Sequence, residues 1–143
     1  MKRKSLSAKR KNLKNSIFSP QIRNKRIKKI YERFEFLINQ KEFKGYLVAV
    51  SGGADSLALA YFSKCYQIKN KNKNFHYVHV DHKLRDTSSN EAQTLKKILR
   101  KFKIECKIIT WKKKTNTKKT QSESRDYRFK VFDGFCKKKK INT

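Results

Sequence analysis

The chain has 143 residues, room for one domain with a modest core, and its hydrophobic share of 36% scarcely exceeds its charged share of 35%. Lys+Arg 39 against Asp+Glu 11 leaves a net charge of +28, which calls for a polyanionic partner, RNA or DNA foremost, although Lys, Asn and Ile are also the residues that an AT-rich genome would favour together. No apolar stretch approaches the ~20 residues that span a bilayer, so no membrane role is expected. Cys65, Cys106 and Cys136 form no C-x-x-C, so neither a zinc ribbon nor a dithiol motif is signalled, and an odd count without a secretory signal fits a reducing, cytoplasmic setting.

In chain order, residues 1–24 are rich in Lys, Arg and Ser, with no acidic residue before Glu32, and read as a disordered basic arm. The predominance of Lys over Arg argues against an organellar transit peptide. From about Arg23 a helix is expected, with Ile27, Ile30, Tyr31, Phe34, Leu37 and Ile38 at helical spacing and a basic opposite face of Arg26, Lys28, Lys29 and Arg33. A first strand is predicted over 46–50 and a helix from Asp55 to Gln67. A second strand follows from Phe75 to Val80. Ser88-Ser89-Asn90-Glu91 reads as a capping box opening a helix to about Lys103, whose stripe is Ala92, Leu95, Ile98, Leu99 and Phe102. A third strand spans Ile104 to Trp111, and Lys112 to Lys119 form a Lys/Thr/Asn loop. Thr120-Gln121-Ser122-Glu123 gives a second capping box, before a helix carrying Tyr127, Val131, Phe132 and Phe135, weakened near its end by Gly134. A fourth strand would begin at Ile141. This β-α-β-α-β-α order with short links implies an α/β fold with a parallel sheet and right-handed crossovers.

The most informative stretch is Tyr46-Leu47-Val48-Ala49-Val50-Ser51-Gly52-Gly53-Ala54-Asp55-Ser56. A strand running through a Ser-Gly-Gly turn into a helix N-terminus makes a phosphate site by geometry, because glycine lets backbone approach an anion and the first-turn N–H groups point at it. Ser51 and Ser56 add hydroxyl donors. Asp55 suits such a site only with a cation such as Mg²⁺ between it and the phosphates. The spacing is that of neither G-x-x-x-x-G-K-S/T nor G-x-G-x-x-G. Instead, S-G-G-x-D-S resembles the PP-loop of the ATP pyrophosphatases, which cleave ATP to AMP and pyrophosphate. Further on, His79, Asp81 and His82 end the second strand, where ligands of open α/β sheets bind. Two His and a carboxylate can hold Zn²⁺ or Fe²⁺, but the cluster is non-specific, and ligand-loop residues that partly bond the backbone are the preferred reading.

Two more stretches narrow the resemblance. His79-Val80-Asp81-His82-Lys83-Leu84-Arg85 with Ser89 and Glu91-Ala92 resembles the second signature of the tRNA(Ile)-lysidine synthetases. Gln121-Ser122-Glu123-Ser124-Arg125-Asp126-Tyr127-Arg128-Phe129 resembles that family's E-A-R-x-x-R-Y helix, with Ser124 for the usual Ala and Phe129 for the usual Tyr. The three motifs, in family order, cover about residues 46–136. The resemblance implies an adenine nucleotide α hydrolase-like (Rossmann-like PP-loop) domain. It implies ATP-dependent adenylation of the C2 oxygen of the anticodon-wobble cytidine of tRNA(Ile) with a CAU anticodon, then displacement of AMP by free L-lysine. Ser51, Gly52, Gly53, Ala54, Asp55 and Ser56 would hold ATP, with Asp55 on Mg²⁺, and His79 and Val80 would border the adenine. Arg125 and Arg128, three apart on a helix, would act with Asp55 in catalysis by neutralising charge on phosphate or on the cytidine oxygen. Solvated helical arginines are the bland alternative.

The family pattern continues into a fourth strand and an H-H-x-x-D-D-x-x-E-T motif absent from this sequence. Residues 25–143 are therefore expected to be the N-terminal part of a PP-loop catalytic domain, cut after about three strands, with an apolar sheet edge that a homodimer would cover. Two alternatives stay open. A tRNA-thiolating PP-loop enzyme is disfavoured by isolated cysteines, and a non-catalytic basic RNA-binding protein would bind RNA in a salt-dependent way without turnover.

Overall fold

In the computed structural model, residues 24–83, 85–111 and 120–141 are described. The basic arm up to Arg23, the Lys112–Lys119 loop and the final two residues of the expected fourth strand lie outside them. Two compact units are present, one up to Glu42 and one from Phe43 onward. The first contains helix α1, Lys25–Asn39. Asn24 caps it, its side-chain oxygen accepting from the N–H groups of Arg26 (3.0 Å) and Ile27. Tyr31 is its buried residue, while Ile30 and Leu37, expected on the apolar stripe, are exposed. The stripe is thus narrower than the sequence implies, following Ile27, Tyr31, Phe34 and Ile38 at alternating four- and three-residue steps.

The second unit is a three-stranded parallel sheet in the order β1-β2-β3, with β1 at Gly45–Ala49, β2 at Asn74–Asp81 and β3 at Cys106–Thr110. The sheet and its helices bear out the α/β reading. Val48 lies opposite Tyr77, and Tyr77 opposite Cys106, so one pleat face carries all three. Helices α2 (Ala54–Lys69) and α3 (Ser88–Lys101) cover that face. The α2 Ser63 hydroxyl, fully buried, donates to Ala60 O (3.0 Å) and to Tyr77 Oη (3.3 Å). Helix α4, Gln121–Lys139, lies on the opposite face, its Phe135 ring 5.8 Å from His76 and 5.6 Å from the Lys107 ammonium. Val78, at the centre of β2, is wholly buried.

The helix ends explain where expectation and structure part. The capping box at α4 forms as read: Thr120 Oγ1 accepts from Glu123 N (3.1 Å) and Glu123 Oε2 accepts from Thr120 N (2.9 Å). The one expected at Ser88 does not. Thr87 is the cap of α3, which puts Glu91 four residues on, where its carboxylate accepts from the Thr87 hydroxyl (2.8 Å) instead of reaching a backbone N–H. Both α3 and α4 close through a lysine in the left-handed region. With Lys103 at φ 53°, Ile104 N donates to Leu99 O and Lys103 N to Arg100 O; with Lys140 at φ 54°, Ile141 N donates to Cys136 O and Lys140 N to Lys137 O. The buried pairs Leu99/Ile104 and Cys136/Ile141 seal these turns. Ile104, expected to open a strand, therefore ends a helix, and Ile141 closes α4 in the same way. Gly45 makes room for the second closure, since a Cβ there would stand 3.2 Å from Ile141 Cγ1.

Candidate functional site

The Ser51–Ser56 turn joins β1 to α2. Its backbone reverses at Gly52, whose φ of +96° is a conformation that a side chain would strain. Gly53 has an ordinary extended backbone and is the N-cap of α2. A Cβ on Gly53 would meet only Ser51 Oγ, at 3.7 Å. The donors of the turn converge. Ser56 Oγ accepts from Ser51 N and Gly52 N, both at 3.2 Å, and from Ser51 Oγ at 3.1 Å, while itself donating to Gly53 O at 2.9 Å. With glycine as cap, no side chain satisfies the first-turn N–H groups of α2. Backbone and hydroxyl donors at a helix N-terminus fit phosphate oxygens. Asp55 sits exposed in that first turn, where a carboxylate interacts favourably with the helix dipole and can share a hard cation with phosphates.

The end of β2 stands beside this turn. Val50 N donates to Val78 O at 2.9 Å, carrying the strand pairing one residue past β1. The Nδ1–H of His79 donates to Val50 O at 2.7 Å, which leaves the lone pair of the neutral ring on Nε2. Asp81 is buried, its Oδ1 accepting from Lys83 N (3.0 Å) and its Oδ2 from the Ser89 hydroxyl (3.3 Å). Lys83, held at φ 53°, brings its ammonium to Ser89 Oγ and to 3.9 Å from Asp81 Oδ2. A single carboxylate thus ties the strand end to the first turn of α3. Among the described residues no three His, Cys, Asp or Glu side chains assemble as metal ligands, because His79 and Asp81 are directed to these backbone and hydroxyl partners.

Above the strand ends lies a cleft of about 890 Å³. Its floor is Val50, Ser51, Gly52 and residues 78–82. Asn90, Glu91, Thr94 and Leu95 of α3 form one wall, and Arg128, Phe129 and Phe132 of α4 another. Of the residues assigned from the sequence to ATP or catalysis, Ser51, Gly52, His79, Val80 and Arg128 line it, as do Asp81, His82, Arg85 and Glu91 of the second motif. Gly53, Ala54, Asp55 and Ser56 belong to the adjoining turn. Arg125 does not line the cleft; its guanidinium lies 5.8 Å from the centre of the Phe129 ring, so the two arginines are parted despite their three-residue spacing. Asp81 as a loop anchor and Phe129 as a wall are not legible in sequence, because the contacts that define them, to Ser89 and to the cleft, follow no local period. Trp111 and Tyr127 stack at 4.7 Å, with His82 edge-on to both, where β3 meets α4.

A parallel sheet whose first strand passes through a glycine turn into an uncapped helix N-terminus, under a cleft at the strand carboxyl ends, defines an α/β domain of the phosphate-binding class. The chain belongs to the PP-loop domain family, whose model matches residues 22–143. It is similar to the tRNA(Ile)-lysidine synthase of Rickettsia rickettsii (strain Sheila Smith), with 29% identity over 111 residues, 75% of this chain and 23% of that protein. The synthases of Brucella anthropi (32% over 106 residues, 73% of this chain and 22% of that protein) and Rickettsia typhi (30% over 111 residues, 75% and 26%) are similar in the same way. The chain spans about a quarter of the length of these relatives. Among the described residues no helix is long and apolar enough to cross a membrane.

Proposed function

We propose that residues 25–143, behind a basic arm of residues 1–24, are the N-terminal part of the catalytic domain of a cytoplasmic tRNA-modifying ligase. It acts on tRNA(Ile) with a CAU anticodon, joining L-lysine to the wobble cytidine, and works as a homodimer. ATP supplies the activating group, transferring AMP to the cytidine C2 oxygen with loss of pyrophosphate, after which the lysine amine takes the place of AMP. The turn donors of Ser51, Gly52 and Ser56 and the first-turn N–H groups of Ala54, Asp55 and Ser56 bind the phosphate oxygens, and the bare Gly53 lets them approach. Asp55 shares Mg²⁺ with those phosphates. His79 and Val80 border the adenine, and Arg128 meets the charge that builds on the reacting phosphate and cytidine oxygens. Arg125, one helical turn away, joins it in neutralising that charge.

The observation that carries this reading is the glycine turn after β1, which leaves the first-turn N–H groups of α2 without a side-chain cap beside a cleft lined by Ser51, Gly52 and Arg128. Similarity to enzymes named for lysidine synthesis supports the choice of substrate. Calorimetric titration with Mg·ATP should give binding that Asp55→Ala and Gly53→Val each weaken at least a hundredfold; undiminished binding in both sinks the site. Lysine-dependent AMP release with the tRNA transcript then separates a ligase from an RNA-binding scaffold, which would bind the transcript and release none.

A further inference from the structure

We infer that Phe129, with the Arg125 guanidinium on its ring and Arg128 beside it, is a stacking platform for an unpaired nucleobase of the RNA substrate, a role that rests on the reading of this cleft as an ATP-dependent RNA-modifying site. Of the other aromatic residues of α4, Phe132 lines the cleft with Phe129 but is only half-exposed, and two pair with other rings. Tyr127 stacks on Trp111 at 4.7 Å with the rings 13° apart, and Phe135 packs edge-on against His76 at 5.8 Å. Phe129 is different: it lines the cleft yet remains 57% exposed, and its neighbour is a cation 5.8 Å from the ring centre.

A ring left largely in water at the rim of the cleft loses the burial that normally justifies a phenylalanine. A base laid on it would recover that burial. Single-stranded RNA is held by this combination of flat ring and arginine, the ring taking the base and the cations its flanking phosphates. Charge complementarity selects the occupant, since Arg128 lines the cleft, the Arg125 guanidinium lies on the Phe129 ring, and the chain carries a net charge of +28. The phosphate turn and the end of β2 account for a nucleotide on the cleft floor. At about 890 Å³ the cleft is near the upper limit for one small ligand, so a second planar group can enter from the α4 side.

The test uses the full chain and a hairpin RNA whose loop carries the CAU triplet, with 2-aminopurine next to the cytidine, alongside a fully paired duplex of equal length. Wild type should quench the 2-aminopurine. Phe129→Ala should abolish the quenching and weaken hairpin binding roughly 5- to 150-fold, the range for losing one base–aromatic stack. Phe129→Tyr should restore both, and duplex binding should not change. Unchanged quenching in Phe129→Ala, or an equal loss for the duplex, overturns the inference. So does a loss confined to Mg·ATP affinity, which would assign the ring to adenine. Asp55→Ala keeps the two readings apart: it should lose ATP while still quenching, so failure of the ATP site and failure of the platform appear in different variants.

Discussion

At the amino ends of β1 and β2, rings pack on rings; at their carboxyl ends, polar atoms hold a loop in place. Tyr46 stacks on Phe75 at 4.9 Å, Tyr66 meets Phe75 edge-on at 6.0 Å, and Lys73 closes the group by donating from Nζ to Phe43 O at 2.8 Å. Every part of that cluster faces another part. Further along the same strands, the Val50 carbonyl is claimed by His79 and the Asp81 carboxylate by Lys83 and Ser89, while Ser51, Gly52 and Val80 open onto the cleft. One end therefore stabilises the sheet and the other spends side chains on positioning. Two parallel strands can do both because parallel pairing aligns all carboxyl ends on one side.

This contrast can be broken by mutation. Phe75→Ala, at the packed end, should have the largest effect, a loss of about 3–5 kcal/mol in urea unfolding with Mg·ATP affinity of the folded protein unchanged. A changed affinity would show that the two ends are coupled. Asp81→Ala, at the polar end, should cost about 1–3 kcal/mol because Lys83 N and Ser89 Oγ lose their acceptor. Unlike Phe75→Ala, it should also lower ligand affinity in the same titration, since the β2–α3 turn loses its anchor. Helix α4 allows a smaller, paired comparison. Thr120→Ala should lower the unfolding free energy by about 1 kcal/mol through loss of the capping box. Gly134→Ala should raise it by about 0.5–1 kcal/mol, because the added Cβ meets no atom within 4 Å beyond its chain neighbours and its own helix backbone.

The packed end also predicts a pH dependence. Burial pushes the Cys106 thiol from its ordinary 9.0 up to about 11, and the Tyr77 hydroxyl from 10.0 up to about 12, the latter partly offset by the Ser63 hydrogen bond. In both, the folded value lies above the unfolded one, so the native state holds the proton more tightly. The stability they contribute is fully present below about pH 9 and is lost as pH climbs towards 12. Urea midpoints measured across that range should fall, and Cys106→Ala should move the onset of the fall upward towards the tyrosine range. A midpoint that is flat from pH 9 to 12 would contradict the burial of both groups.

The two capping boxes show why some of this was legible and some was not. Thr120 and Glu123 are three apart with nothing in between that competes for the cap, so the local pattern sufficed. Around Ser88 the pattern was equally good, but Arg85 N takes the Ser88 hydroxyl and the cap moves to Thr87. The arginines divide in the same way. Three-residue spacing puts Arg125 and Arg128 on similar sides of a helix, yet only packing against the sheet decides that Arg128 enters the cleft and Arg125 rests on Phe129.

The alternation of strand and helix, the parallel sheet and the glycine turn at Ser51–Ser56 were determined by the sequence itself. Hydrophobic periodicity and a glycine turn are local signals, complete within a dozen residues. Tertiary structure alone decided that Asp81 anchors a loop, that Ile104 closes a helix instead of opening a strand, and that Phe129 is left facing the cleft. Each of these depends on a partner set by the meeting of two elements, and no local spacing encodes such a meeting.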